Sequence, residues 1–376
     1  MTLLILNAGS SSLKFSLLDP IDDRIWTQGV ATASQSVRDI VDDIRSRTQP
    51  PGAAIEGVVH RVVHGGTRFT EAVRITPEVR AAMNELTDLA PLHNPPSLEV
   101  IDAALEVLPD VPHVAVFDTA FHATLAPEAF TYPLPREWNE RWGLRRFGFH
   151  GLNHAYCAER AAQMLNRPAA GLRVVIAHLG NGASVTAARD GRSIDTSMGF
   201  TPLEGLMMGT RSGSVDPGLL LHLQLRCGIP GHELLHALNH TSGLLGVSGV
   251  SSDMREVTEA SRAGDARASL AMAIFAHRAR QAIGAMAVTI GGVDALVFTA
   301  GIGEHSDMIR AAVCDGLSCL GLELDRQANA SAQPDAVVST PASRAAILVV
   351  AAREDLMMAR AARALIGDRD RFGAGG

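Results

Sequence analysis

Ile5-Leu6-Asn7-Ala8-Gly9-Ser10-Ser11-Ser12-Leu13-Lys14 starts as an apolar strand, passes through a turn of small residues and returns as a second strand. Ile176-Ala177-His178-Leu179-Gly180-Asn181-Gly182-Ala183-Ser184 repeats that plan about half a chain later. Each copy reaches an aspartate before its next turn, at Asp19 and at Asp190. Two copies of a strand–turn–strand unit imply two similar domains. Small residues let the backbone approach a ligand closely, and their N–H groups and hydroxyls bond phosphate oxygens. Both turns are therefore candidate phosphate loops. A Ser-rich hairpin and an Asn-Gly hairpin turn are the other readings. The first turn is not a Walker A loop: G-x-x-x-x-G-K-[ST] occurs nowhere, and the turn runs into a strand instead of a helix.

The rest of the composition fits such a chain. At about 150 residues per domain, 376 residues make two or three domains. Hydrophobic residues are 47% and charged residues 19%, enough for a large core and against a disordered chain. The net charge of −7 argues against nucleic acid as partner, because no basic surplus displaces phosphate counterions. No apolar run approaches the roughly 18 residues of a membrane span, so no membrane association is expected. Met1-Thr2-Leu3-Leu4-Ile5-Leu6 reads as a first strand and not as a secretory leader. The four cysteines, at 157, 227, 314 and 319, form no C-x-x-C pair and no disulfide framework, which suits a reduced, cytoplasmic setting. Of 33 basic residues only Lys14 is a lysine, so a compact ammonium stands beside the first small-residue turn.

Periodicity gives an α/β chain with mixed sheets flanked by helices. Strands are expected at 3–6, 13–18, 25–31, 57–63, 113–117, 173–177, 184–188, 295–299 and 346–351. Helices are expected at 36–47, 77–87, 97–108, 153–165, 217–225, 254–263, 266–288, 306–320 and 354–366. A third glycine site, Gly301-Ile302-Gly303-Glu304-His305, follows an apolar strand and opens a helix, as a nucleotide loop does, but lacks the third glycine of a dinucleotide fingerprint. Arg61 interrupts the apolar run 58–63, and Arg211 lies in the glycine-rich run 209–213. A guanidinium in such a place needs an anionic partner or an open cleft. Histidines recur at four-residue spacing, and His232-Glu233-Leu234-Leu235-His236 is a literal H-E-x-x-H. On a helix, that pattern puts two imidazoles on one face for zinc, with Glu256 or Glu259 as a third ligand. A zinc peptidase is thus a competing reading, although it leaves the glycine loops unexplained.

Taken together these segments resemble the acetate kinase family, within the acetate and sugar kinase/Hsp70/actin superfamily. The resemblance runs from about residue 3 to residue 365. Besides the first turn it rests on His60-Arg61-Val62-Val63-His64-Gly65-Gly66, Pro91-Leu92-His93-Asn94-Pro95-Pro96 and Phe117-Asp118-Thr119-Ala120-Phe121-His122. It continues through Arg146-Phe147-Gly148-Phe149-His150-Gly151 and Met198-Gly199-Phe200-Thr201-Pro202-Leu203-Glu204-Gly205. The resemblance implies two ribonuclease-H-like (actin-like ATPase) domains with a duplicated core and an interdomain ATP cleft. Residues 1–121 plus 356–376 would form the first domain and 122–355 the second. It implies Arg61, Asp118, His150 and Arg211 as the reacting centre, and Arg61, Val63, Leu92, Phe149 and Pro202 as the acetate site. ATP would be held by Lys14, by His178, Leu179, Gly180, Asn181 and Gly182, by Asp253, Met254 and Arg255, and by Gly301, Ile302, Gly303, Glu304 and His305. Asn7 and Glu354 would place Mg²⁺, with Mn²⁺ able to substitute. The expected reaction is reversible transfer of the ATP γ-phosphoryl group to acetate by a homodimer. A propionate kinase of the same family is the near alternative, and an ATP-switched binding protein a distant one.

The chain departs from the family's usual residues in four places. His305 stands where Asn is usual, and Ala352-Arg353 where Thr-Asn precedes the metal-site Glu. Ser214 replaces an Asp, and Leu152-Asn153 replaces Thr-Ser. None is one of the four reacting residues.

Overall fold

A computed structural model describes residues 1–8, 13–19, 24–31, 35–47, 54–91 and 93–372. The centre of the first small-residue turn, residues 9–12, and Leu92 lie outside the described residues. The chain forms two compact units, Met1–Ala123 with Gly151–Tyr156 and Arg353–Gly376, and Thr124–His150 with Cys157–Ala352.

The first unit holds a six-stranded sheet of β1 (Leu3–Ala8), β2 (Leu13–Leu18), β3 (Ile25–Ala31), β4 (Gly57–Val62), β5 (Val73–Arg74) and β6 (His113–Phe117), in the order β3-β2-β1-β4-β6-β5. β1 runs antiparallel to β2 and parallel to β4, which runs parallel to β6. The second unit holds β7 (Arg173–Leu179), β8 (Ala183–Arg189), β9 (Arg192–Thr196), β10 (Ala295–Thr299), β11 (Ala336–Val337) and β12 (Ala346–Val349), in the order β9-β8-β7-β10-β12-β11. Replacing each strand of the first sheet by the one six places later gives the second sheet. The directions match as well: β7 is antiparallel to β8 and parallel to β10, which is parallel to β12. The internal repeat read at residues 5–14 and 176–184 is therefore a complete duplicated core.

The central strands are apolar on both faces because helices cover both. Leu3 to Leu6 are all buried, and so is every residue of β6 and of β10. The helix Glu354–Phe372 packs on β1, β4 and β6 of the first unit, and the long helix Ala266–Thr289 packs on β7 and β8 of the second. That long helix starts where the Asp265 carboxylate accepts from the N–H groups of Arg267 and Ala268, satisfying donors that have no intrahelical partner. Its buried face is largely alanine (Ala268, Ala271, Ala276, Ala279), which lets the helix lie close to the sheet.

Several helix boundaries differ from expectation: the helix expected over 77–87 ends at Asn84, the one expected over 354–366 runs on to Phe372, and two others differ for plain local reasons. The helix expected from residue 97 begins at Asn94, because Pro95 and Pro96 occupy its first turn, where a missing N–H costs nothing. The helix expected over 306–320 stops at Cys314, ahead of the left-handed Gly316 at φ 93°, and a short 3-10 turn, Ser318–Leu320, follows.

Candidate active site

In open α/β sheets the chemistry gathers at the carboxyl ends of the parallel strands. In the first unit those ends carry three of the expected residues: Asn7 late on β1, Arg61 near the end of β4 and Asp118 just after β6. Arg61 faces Val116 across the parallel pair. Its guanidinium donates to Asp118 Oδ2 and, through NH1, to Asn7 Oδ1 at 3.2 Å. Asn7 Nδ2 donates to Glu354 Oε2 at 3.0 Å, and the same carboxylate oxygen lies 4.0 Å from Arg61 Nε. Asn7, Arg61, Asp118 and Glu354 are thus one bonded cluster.

Burial works against the charge of Arg61, but the carboxylates of Asp118 and Glu354 outweigh it and hold its pKa above the ordinary arginine value. The guanidinium stays charged at any pH the protein meets. Its Nε is buried with no acceptor among the described residues. A strand-borne arginine thus keeps an unused donor beside two carboxylates. Glu354 supplies a carboxylate oxygen and Asn7 an amide oxygen, here turned to Arg61; hard donors of this kind fit Mg²⁺, which takes few protein ligands and keeps waters and phosphate oxygens. Lys14 is exposed on β2, with its backbone paired to Asn7. Val63 is buried just after β4.

The second unit brings together the other expected residues. His150 stacks on His178 with ring centroids 4.0 Å apart and planes at 10°, and its Nδ1 lies 2.9 Å from Ser184 Oγ. Gly182 sits against both cationic candidates. A Cβ there would lie 3.2 Å from His150 Nε2 and 3.5 Å from Arg211 NH2, so the absence of a side chain keeps the space open. Arg211 NH1 donates to the Pro202 carbonyl at 2.7 Å, and no carboxylate of the described residues pairs with it. Burial alone moves its pKa below the ordinary value. A desolvated guanidinium with only a carbonyl for company is a place prepared for an anion.

Next to this group is a cavity of about 750 Å³. Its walls include Gly180, Asn181, Asp253, Met254, Arg255, Gly301, Ile302 and His305, which come from three of the four expected nucleotide segments. Leu179 and Gly303 are buried behind the wall, and Glu304 Oε1 accepts from the Ala352 N–H at 2.9 Å. Asp253 caps the helix Met254–Arg262 and grips Arg255, with Oδ2 at 2.5 Å from NH2. Ala300, which opens the helix Ala300–His305, is left-handed at φ 65°, and His150 is so at φ 59°. Strained backbone of this kind gathers where a site demands it.

Sequence reading missed Thr258, Glu259 and Arg262 as cavity residues, with Glu259 assigned only to the zinc alternative. Helical spacing is the signal that could have found them: 258, 259 and 262 share the face of Arg255. Ser252, Ser306, Asp307 and Met308 also line the cavity and carry no such signal. The H-E-x-x-H lies on the helix Gly231–His240 with both histidines exposed, and no three metal-binding side chains group among the described residues. Phe149 is buried, and Pro202 is partly exposed.

The sequence pattern of the Acetokinase family matches residues 23–360. The acetate kinase of Synechococcus sp. (strain JA-2-3B'a(2-13)) is 46% identical over 402 aligned residues, covering 97% of this chain and 99% of its own length. The acetate kinase of Gloeobacter violaceus is 53% identical over 307 residues, 81% of this chain and 76% of its own. Among solved structures, Porphyromonas gingivalis acetate kinase superposes with a TM-score of 0.89 at 37% identity, over 97% of this chain and 99% of its own. A propionate kinase from Francisella tularensis subsp. tularensis SCHU S4 gives 0.88 at 37% identity, over 96% and 98%.

Proposed function

Since the chain belongs to the acetokinase family, we propose that it transfers the γ-phosphoryl group of ATP to acetate, giving acetyl phosphate and ADP, reversibly and by direct in-line displacement. The observation that carries this reading is the pair of arginines. Arg61 and Arg211 are both drawn out of water, yet one is matched by carboxylates and the other by none among the described residues. Acetate and the γ-phosphate are both anions at neutral pH, so the barrier is charge repulsion and alignment, not proton removal. A carboxylate nucleophile needs no general base. Asp118 accordingly holds Arg61 in position and takes no proton from the substrate.

In this reading Arg61 orients the acetate carboxylate, with Val63, Leu92, Phe149 and Pro202 around its methyl group. Arg211 and His150 bear the charge of the phosphoryl group in flight. The 178–182, 253–255 and 301–305 segments and Lys14 hold ATP. Asn7 and Glu354 would hold Mg²⁺, which when bound neutralises phosphate charge. The domain division at 121/122 and 355/356, a homodimer and a cytoplasmic setting complete the proposal. Exposed Leu219, Leu221 and Leu225 on the helix Pro217–Leu225 support a second copy. No helix of the described residues is long and apolar enough to cross a membrane.

Hydroxylamine trapping of acyl phosphate with acetate, propionate and butyrate, with and without Mg²⁺, tests the function. We expect acetyl hydroxamate, formed only with Mg²⁺. One methylene in an apolar pocket is worth roughly 1–3 kcal/mol, so a propionate preference would shift the reading to the near alternative. ATP consumption with no trapped acyl phosphate would contradict it.

A further inference from the structure

Arg310 is the largest fully buried side chain of the described residues, 2% exposed, and no carboxylate among them pairs with it. Burial lowers its pKa, with Asp307 pulling the other way. A guanidinium kept inside a protein without a carboxylate is expensive and persists where its hydrogen bonds do something specific. All its bonds go to neutral oxygens. Nε donates to Asn329 Oδ1 at 2.6 Å and NH2 to the Asn329 carbonyl at 2.8 Å. NH1 donates to the carbonyls of Gly303 at 3.0 Å and Glu304 at 2.7 Å. Asn329, itself 3% exposed, returns the contact by donating from Nδ2 to the Asp307 carbonyl at 2.9 Å.

These bonds converge on one stretch of backbone, residues 303–307, from behind. The front of the same stretch is cavity wall: Gly301, Ile302, His305, Ser306, Asp307 and Met308 face the space. Elsewhere the wall is tied at single points, by the Ala352 N–H donating to Glu304 Oε1 and by Ser306 Oγ accepting from the Ile309 N–H. Gly301 has nothing within 4 Å of where a Cβ would be, and the helix it belongs to is six residues long. We propose that Arg310 and Asn329 form a latch that holds the 301–308 wall in its nucleotide-binding shape, making Arg310 a positioning residue for ATP and ADP that never touches them. The inference rests on the reading of this cavity as the ATP site.

The fork geometry gives the latch its precision. A planar guanidinium addresses the loop and Asn329 at once from fixed directions, whereas a lysine ammonium reaches one side and leaves the other unfilled. The charge matters for a second reason: donors on a cation make stronger bonds to the two carbonyls than a neutral amide would.

The test compares Arg310→Lys and Asn329→Ala with the unaltered protein, using calorimetric ATP and ADP affinities, KM for ATP and for acetate, kcat, and melting temperature. Arg310→Lys gives up the charge-assisted bonds on one side of the fork, and Asn329→Ala gives up the Oδ1 bond to Arg310 and the Nδ2 bond to Asp307; each should weaken ATP and ADP binding about tenfold. KM for acetate and kcat at saturating ATP should stay within about twofold of the unaltered protein. Arg310→Met serves as a third variant if the lysine side chain keeps the loop in place. Folded variants with unchanged nucleotide affinity, however much their melting temperatures drop, would overturn the latch. Failure of the ATP reading has a different signature: in the unaltered framework, Gly301→Val, which puts a side chain into the cavity, would leave ATP affinity unchanged.

Discussion

At the scale of single residues, several buried histidines make a pH prediction that is independent of catalysis. His64 has no solvent exposure, and burial holds its imidazole down at about 4. His60, stacked on His113 with Nε2 3.0 Å from Nδ1, is held well below the ordinary value by burial and by its neighbour. An imidazole whose folded pKa lies below its unfolded value of about 6.5 favours the folded state above pH 6.5. As pH falls from there toward 4, the unfolded chain takes up the proton and the folded chain does not, so stability is lost across that window. His64 alone accounts for a loss on the order of 3 kcal/mol between pH 6.5 and 4. Replacing it with Gln should flatten the acid side of the stability profile in denaturant melts. An unchanged profile would mean that His64 titrates normally. Thiol chemistry offers a second residue-scale check. Burial pushes the Cys314 thiol up to about 12, and Cys157 is buried as well, while Cys227 and Cys319 are exposed. Two thiols should react with an aromatic disulfide at pH 8 in the native protein, and the other two only after unfolding.

At the scale of elements, the loop 196–205 deserves a prediction because Arg211 leans on it. Arg146 donates from NH1 to the carbonyls of Thr196, Ser197 and Met198, and from NH2 to Glu204 Oε1 at 2.7 Å. Tyr132 donates to Glu204 Oε2 at 2.5 Å while accepting from the Phe200 N–H at 2.8 Å. Burial first, and then the bond to Glu204, push the Tyr132 hydroxyl above its ordinary pKa, so it stays a donor. The network fixes Pro202, whose carbonyl receives Arg211. Glu204→Gln removes the carboxylate that Arg146 bonds and should cost about 1–3 kcal/mol of stability. It should also lower kcat roughly tenfold through Arg211. Thermal melting and kcat measured on the same preparation check both; an unaltered kcat would separate the loop from the arginine. This network was not legible in the sequence. Tyr132, Arg146 and Glu204 are 14 and 58 positions apart along the chain, and no period relates them. Arg310 and Asn329 escaped for the same reason. The apolar strands were legible because helices on both sides force them to be continuous, and Arg61 stood out because it breaks such a run. Short edge strands such as β5 and β11, two residues each, carry too little pattern to be read.

At the scale of the molecule, the duplicated sheet explains how the work is divided. Register aligns Asn7 on β1 with His178 on β7, and Lys14 on β2 with Ser184 on β8, since each pair faces its partner one step before the turn. By the same counting Arg61 on β4 matches Thr299 on β10. One topology thus ends in carboxylates and an arginine in the first unit, and in glycine loops, imidazoles and an arginine with no carboxylate partner among the described residues in the second. The proposed chemistry draws on both sets, because one anion must be oriented while the other is transferred. The direct measurement is the rate of ATP formation from acetyl phosphate and ADP by the unaltered protein, by Arg61→Ala and by Arg211→Ala, each shown to be folded by its melting temperature. The account predicts that removing either arginine slows turnover on the order of 10³-fold or more. Near-normal ATP formation by either folded variant would contradict it.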